Sequence, residues 1–332
     1  MRFAANAHSK ATKRERLRMG YRSTIAALSA AFSCCTLAIN PIALAAEEGR
    51  VSSQTSVVLS KAAGNGDPDA QYRLGLLGLA GKLGDKGLRD APAILQRAAD
   101  QRHPEAGFVL GALYLRGGLV PRDPEKAAAL YRLSAERGDA KAQNALGRMM
   151  LRGEGVSRDE AGAVRLFELA AQQGLPAAQV NLGILYIRGV GVGADRQRGA
   201  QLIQGAATSG FAGGQFNLGV LLEAGIGLPK NLVAARNWYL LAAEGGSAQA
   251  QFNLGILLLQ PEAGKPDPVE ALKWLLLAAK GEVPELRRQA NSAALALAQR
   301  LTREQVARAG DAAMEWARQR LAENRAMADI AR

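Results

Sequence analysis

Ala178 to Gly189 reads AQVNLGILYIRG, a run with apolar residues at helical intervals around a central Leu-Gly pair. The same text returns one period later as GGQFNLGVLLEAG, Gly213 to Gly225. The glycine of this pair recurs as Gly75, Gly111, Gly147, Gly183, Gly219 and Gly255, at an unbroken spacing of 36 residues. Two further columns keep the same beat: Ala99, Ala135, Ala171, Ala207, Ala243 and Ala279, and the bulky Leu95, Tyr131, Phe167, Ile203, Tyr239 and Leu275. Three columns in register make most of the chain one short unit copied six times.

Each unit reads as two helices. Helix A carries the glycine column. Helix B follows, as in EAGAVRLFELAAQQG from Glu160 to Gly174, and Gly138, Gly174, Gly210 and Gly246 suit the left-handed residue that closes it. Between A and B lies a turn such as RGEGVSRD, Arg152 to Asp159, where glycine supplies positive φ and the aspartate can cap helix B. A glycine inside a helix costs about 1 kcal/mol relative to alanine. Its return, at six positions, is close approach of helix A to helix B, with Leu182 and Leu185 on the buried side and the glycine at its edge.

These residues resemble the Sel1-like repeats, whose consensus runs roughly A-x-x-x-L-G-x-x-Y-x-x-G-x-G-V-x-x-D-x-x-x-A-x-x-W-x-x-x-A-A-x-x-G. The third to fifth repeats follow it most closely, through Leu146-Gly147, Gly153, Gly155, Val156 and Asp159, then Leu182-Gly183, Tyr186, Gly189, Gly191 and Val192, then Leu218-Gly219, Gly225 and Gly227. Repeats one and six depart in the A–B turn, at Gly81 to Asp90 and in QPEAGKPDP from Gln260 to Pro268. The resemblance implies an all-α fold, an α/α solenoid of tetratricopeptide-like helix hairpins wound as a right-handed superhelix. The expected organisation is a signal peptide over 1–45, a capping helix within 46–66, six repeats over 67–282, and capping helices and tail over 283–332. The second C-terminal helix is expected from Thr302, with Gln305 at capping-box spacing, to Leu321, with a frayed polar tail beyond it.

The N-terminal segment carries the layout of a secretory signal. Lys10, Lys13, Arg14, Arg16, Arg18 and Arg22 precede an uncharged run from Ser23 to Ala46, and Ala43-Leu44-Ala45 supplies the small residues of a cleavage site before Ala46. Met19 offers a second start, and an uncleaved anchor is the alternative to cleavage. Both cysteines, Cys34 and Cys35, lie within this segment, so the exported chain has no disulfide. Losing residues 1–45 removes seven Lys/Arg and one Glu, which takes the net charge from +12 to +6. The expected location is the periplasm, with no stable membrane insertion once the signal is cleaved.

Catalytic chemistry finds few residues to use. The exported chain keeps one histidine, His103, read as a surface residue at the end of the first helix B, and no cysteine. The glycine run Gly189 to Gly193 follows a helix rather than a strand and recurs with the period, so it is read as a turn and not a phosphate loop. The basic residues are scattered among acids with no aromatic interleaving, which argues against nucleic acid. No enzyme activity, cofactor or metal is expected. Trp238 and Trp274 are expected in the core.

What remains is surface. On the helix A wheel, the residue two before the glycine and the residue five after it point away from the buried side. They give an amide column, Asn181, Asn217 and Asn253, and a guanidinium column, Arg116, Arg152 and Arg188. On the concave face that the resemblance implies, these two ladders would bind an extended or acidic segment of a partner protein in the cell envelope. The expected function is a non-enzymatic periplasmic interaction scaffold, regulating envelope signalling or polysaccharide export. An envelope hydrolase or glycan-binding accessory, and a secreted host-interacting factor, are the alternatives.

Overall fold

In the computed structural model, residues 53–330 are described, and the signal segment expected over 1–45 lies outside them. Fifteen α-helices and one 3-10 turn, with no strand, make up the described residues. Helix α1 (Ser53–Gly64) comes first. Six A/B hairpins follow: α2 (Pro68–Leu79) with α3 (Gly84–Asp100), α4 (Pro104–Arg116) with α5 (Pro124–Glu136), α6 (Ala140–Arg152) with α7 (Glu160–Gln172), α8 (Pro176–Arg188) with α9 (Arg196–Thr208), α10 (Ala212–Ala224) with α11 (Leu232–Glu244), and α12 (Ala248–Leu257) with α13 (Pro268–Ala278). Then come α14 (Pro284–Ala298) and α15 (Arg303–Ile330). The helices group into two compact units, one of residues 53–185, 189–193 and 318–330, the other of 186–188 and 194–317.

In the first unit, successive helices pack as a stack: α1 on α2, α2 on α3, and so on to α7. The bulky column of helix B is fully buried, Leu95 at 0%, Tyr131 at 1% and Phe167 at 0% exposure. Each of these side chains lies against a glycine of helix A. A Cβ on Gly75 would stand 2.6 Å from Leu95 Cγ, one on Gly111 2.7 Å from Tyr131 Cε1, and one on Gly147 3.0 Å from Phe167 Cε1. The glycine column is therefore a groove into which helix B sets its largest side chain. The second unit repeats the arrangement, with Gly219 against Tyr239 at 2.6 Å and Gly255 against Leu275 at 2.8 Å.

Polar side chains fix the helix ends. Five B helices open on Asp123, Asp159, Asp195, Asn231 and Asp267, each side chain accepting a backbone N–H from the first turn. Because Asp159 Oδ1 receives the Gly162 N–H at 2.8 Å, Asp159→Ala is expected to cost about 1 kcal/mol. Thermal unfolding followed by circular dichroism should register this as a small drop in Tm, with Asp159→Asn retaining most of the stability.

Repeats one and six end their A–B turns differently. In the sixth, Pro261–Ala263 forms the 3-10 turn and Gly264 takes φ 117°. At the C-terminus Thr302 N–H donates to Gln305 Oε1 at 3.0 Å and Gln305 N–H to Thr302 Oγ1 at 3.2 Å, the reciprocal box expected from their spacing. The helix this box opens does not stop at Leu321. It runs on to Ile330, because LAENRAMADI holds good helix formers and neither glycine nor proline to end it. In the second unit α15 is anchored by Ala309 and Ala313, both buried, and by Trp316, whose ring meets Trp274 edge-on at 5.9 Å. Trp274 is accordingly a core residue at 1% exposure, whereas Trp238, at the equivalent position of α11, is only half-buried.

Candidate protein-binding surface

Arg116, Arg152 and Arg188 are the last residues of α4, α6 and α8, and all three are exposed. The first two belong to one compact unit and the third to the other. A cation in the last turn faces the carbonyl end of its helix, where it complements the macrodipole. That placement presents three guanidinium groups to solvent at equivalent positions of successive hairpins.

The asparagines are placed differently from the expectation. Asn181 and Asn217 are each 1% exposed, and Asn253 is half-buried. Asn181 Nδ2 donates to Asn144 Oδ1 at 2.8 Å, a buried bond between the A helices α6 and α8. Asn217 Nδ2 donates to Gly213 O at 2.7 Å within α10. Asn253 approaches the Tyr239 hydroxyl, which donates to Glu223 Oε2 at 2.7 Å. Burial, followed by the Glu223 carboxylate, pushes the Tyr239 hydroxyl well above the ordinary phenol range. Asn181, Asn217 and Asn253 therefore form no exposed ladder. A wheel drawn for one hairpin leaves a helix A face open, but α6 packs on both α5 and α7, and α10 on both α9 and α11.

A second set of buried amides was not read from the sequence. Gln71, Gln143 and Gln251 are 3 to 4% exposed, and their Nε2 groups donate to the carbonyls of Ala63, Ala135 and Ala243 at the end of the preceding helix, α1 for Ala63 and a B helix for the other two. Each bond spans eight residues and ties a hairpin to the helix before it. Gln101 and Gln173 add a further link, donating to Gln71 and Gln143 at 2.8 and 2.9 Å. In the second repeat the glutamine position holds Gly107, and the Ser134 hydroxyl occupies the vacated space, donating to Pro104 O at 2.8 Å. The signal was the recurring Ala-Gln ahead of Leu-Gly.

His103 is likewise structural. Its side chain is 9% exposed, stacks on Tyr72 at 4.5 Å, and caps α4 by accepting the Ala106 N–H on Nδ1 at 3.3 Å. Accepting on Nδ1 leaves the proton on Nε2, which faces Asp69 at 3.2 Å. The residue is thus a helix start and not the solvent-facing C-terminal histidine expected. One period on, Asp139 caps α6 at the equivalent position; burial raises its carboxyl, opposed by the N–H bonds from Ala142 and Lys141. Among the described residues no group of three His, Cys, Asp or Glu side chains could hold a metal. No described helix is long and apolar enough to cross a membrane.

With the hairpins in view, the family comparison is direct: the Sel1 repeat matches residues 68–103, 104–139, 140–175, 176–211, 212–247 and 248–282. The chain belongs to the Sel1 repeat family. Sel1 repeat proteins generally mediate protein–protein interaction and are typically non-enzymatic scaffolds. A solved Sel1 repeat protein from Oxalobacter formigenes is 32% identical over 65% of this chain and 89% of its own, with a TM-score of 0.61. A second, c5321, is a protective antigen of uropathogenic Escherichia coli strains that displays the same fold. It is 29% identical over 82% of this chain, with a TM-score of 0.59, and the alignment spans 64% of the antigen. No curated protein matches the chain by sequence.

Proposed function

We propose that this Sel1 repeat protein is a non-enzymatic adaptor of the cell envelope, exported by residues 1–45, which holds a partner protein in the periplasm. The observation that carries the reading is the set of exposed arginines, Arg116, Arg152 and Arg188, repeated at the ends of three A helices. An exposed guanidinium at the end of an A helix suits a partner segment bearing carboxylates, since it can engage a carboxylate through two N–H bonds. The family's general use in protein–protein interaction supports the same conclusion. The buried asparagines take no part in it. Envelope signalling and polysaccharide export are the settings in which such an adaptor would act.

Two measurements test this reading. Residues 1–50 fused to a phosphatase that folds only after export should give activity, and the purified protein should begin at Ala46. An inactive fusion would remove the periplasm from the proposal. Crosslinking and pull-down from the envelope fraction should capture a partner with wild type and lose it when all three arginines are changed to alanine, with helical circular dichroism unchanged. Equal capture by both proteins would remove the arginines from recognition.

A further inference from the structure

The second repeat breaks the pattern at one turn residue. In later repeats the turn between helices A and B closes on the start of the preceding helix B through a glycine. A Cβ on Gly155, Gly191 or Gly227 would overlap the backbone of Pro124, Glu160 or Arg196 respectively. One period before Gly155 stands Leu119. A leucine cannot make that approach, and its side chain is 43% exposed. Between its turn and α3 lies a cleft of about 610 Å³.

The walls of the cleft combine two chemistries. Pro92 and Ala93 of α3 face Leu119 and Val120 of the turn, which makes an apolar slot. Arg89 and Lys126 supply two cations, and the Lys126 ammonium stands 4.6 Å from the centroid of the Tyr114 ring. The acid in the lining, Asp100, accepts from Gln96 Nε2 at 2.7 Å. The slot continues into a second hollow of about 490 Å³ that shares Tyr114, Val120 and Lys126. There Asp123 is engaged as the cap of α5 and Arg122 pairs with Glu154. The volume is in the range of ligand-binding pockets, and the lining divides between apolar residues and the polar Arg89, Gln96, Asp100 and Lys126.

We propose that this cleft receives a short extended segment of a partner protein, with an apolar side chain seated between Ala93 and Leu119 and a neighbouring carboxylate held by Arg89 and Lys126. The proposal rests on the reading of the chain as a protein-binding adaptor and adds the chemistry of what is bound. A charged rim alone would favour any acidic peptide; the apolar slot selects one with an anchor beside its acid.

Random displayed peptides of about twelve residues, selected on the purified protein, test it. The enriched peptides should share an apolar residue next to Asp or Glu. Their affinity should fall about tenfold or more on Ala93→Trp, which fills the slot from an exposed helix position, and on Arg89→Glu with Lys126→Glu, which reverses the rim. Two separate variants guard against a folding defect in either, read from circular dichroism. Peptides that bind both variants as well as wild type, or lack an acid beside the anchor, would overturn the cleft. If those peptides are instead lost on the Arg116, Arg152 and Arg188 triple alanine, the adaptor reading stands without the cleft. No enrichment at all overturns the cleft, and only a failed envelope pull-down as well would overturn the adaptor.

Discussion

Phe167→Ala should cost about 3 to 5 kcal/mol and Gly147→Leu about 1 to 3 kcal/mol, yet the two together should cost clearly less than their sum. Phe167 is fully buried at 0% exposure, and its ring edge lies 3.0 to 3.1 Å from where a Cβ on Gly147 would stand. Removing the ring opens a cavity directly in front of the glycine. Adding leucine to the intact seam has nowhere to go, because the Ala163 carbonyl also lies within 3.3 Å. Combined, the leucine fills the cavity the ring leaves, and replacing a mid-helix glycine recovers up to about 1 kcal/mol of helix propensity. The coupling should therefore be favourable by about 1 to 3 kcal/mol, measured as a double-mutant cycle in denaturant unfolding. Gly219→Leu, which faces Tyr239 in the other unit, is the control and should add to Phe167→Ala without coupling. An additive pair at 147 and 167 would mean that the glycine column does not serve the seam.

That seam was legible in the sequence because both of its columns recur with the period and differ in size: a residue type needed at one point in every hairpin leaves a periodic trace. The caps were legible for the same reason, whereas the box at Thr302 was legible from its own local spacing. Asn181 and Asn217 were misplaced because a helical wheel knows only its own helix. The wheel separates a face with apolar residues from one without, but α8 is buried from Val180 through Ile187, polar Asn181 included. An amide can be core if another amide meets it, as Asn144 does, and nothing in the spacing of 37 residues announced that pairing. The exposed arginines were read correctly as exposed, since a long cation at a helix end extends to solvent whatever covers the helix body. His103 was misread because it was assigned to the helix before it, while the following Pro104 marks it as the residue before a new helix start.

Gly155→Ala is the smallest substitution expected to have a large effect, about 2 to 5 kcal/mol, which combines the cost of a left-handed residue with overpacking. Gly155 takes φ 65°, and the added methyl would overlap the Pro124 carbonyl and lie 2.7 Å from Glu125 N. The obstacle is backbone at the capped start of α5, so no side chain can swing aside to relieve it. The contrast with Gly153 is the discriminating test. That glycine also takes positive φ, 64°, but the nearest atoms to its Cβ are 3.6 to 3.8 Å away, ordinary contact. Gly153→Ala should therefore lose only the conformational share, about 1 to 2 kcal/mol. Thermal unfolding should place Gly155→Ala well below Gly153→Ala, and equal losses would mean that the turn needs positive φ alone. Leu119→Gly supplies the opposite case. The second repeat lacks the close approach, so a glycine there removes an exposed side chain and fixes nothing by itself, and its Tm should stay near wild type. A large loss at Leu119→Gly would show that the leucine holds its turn in place, and that the open cleft beside α3 depends on its packing.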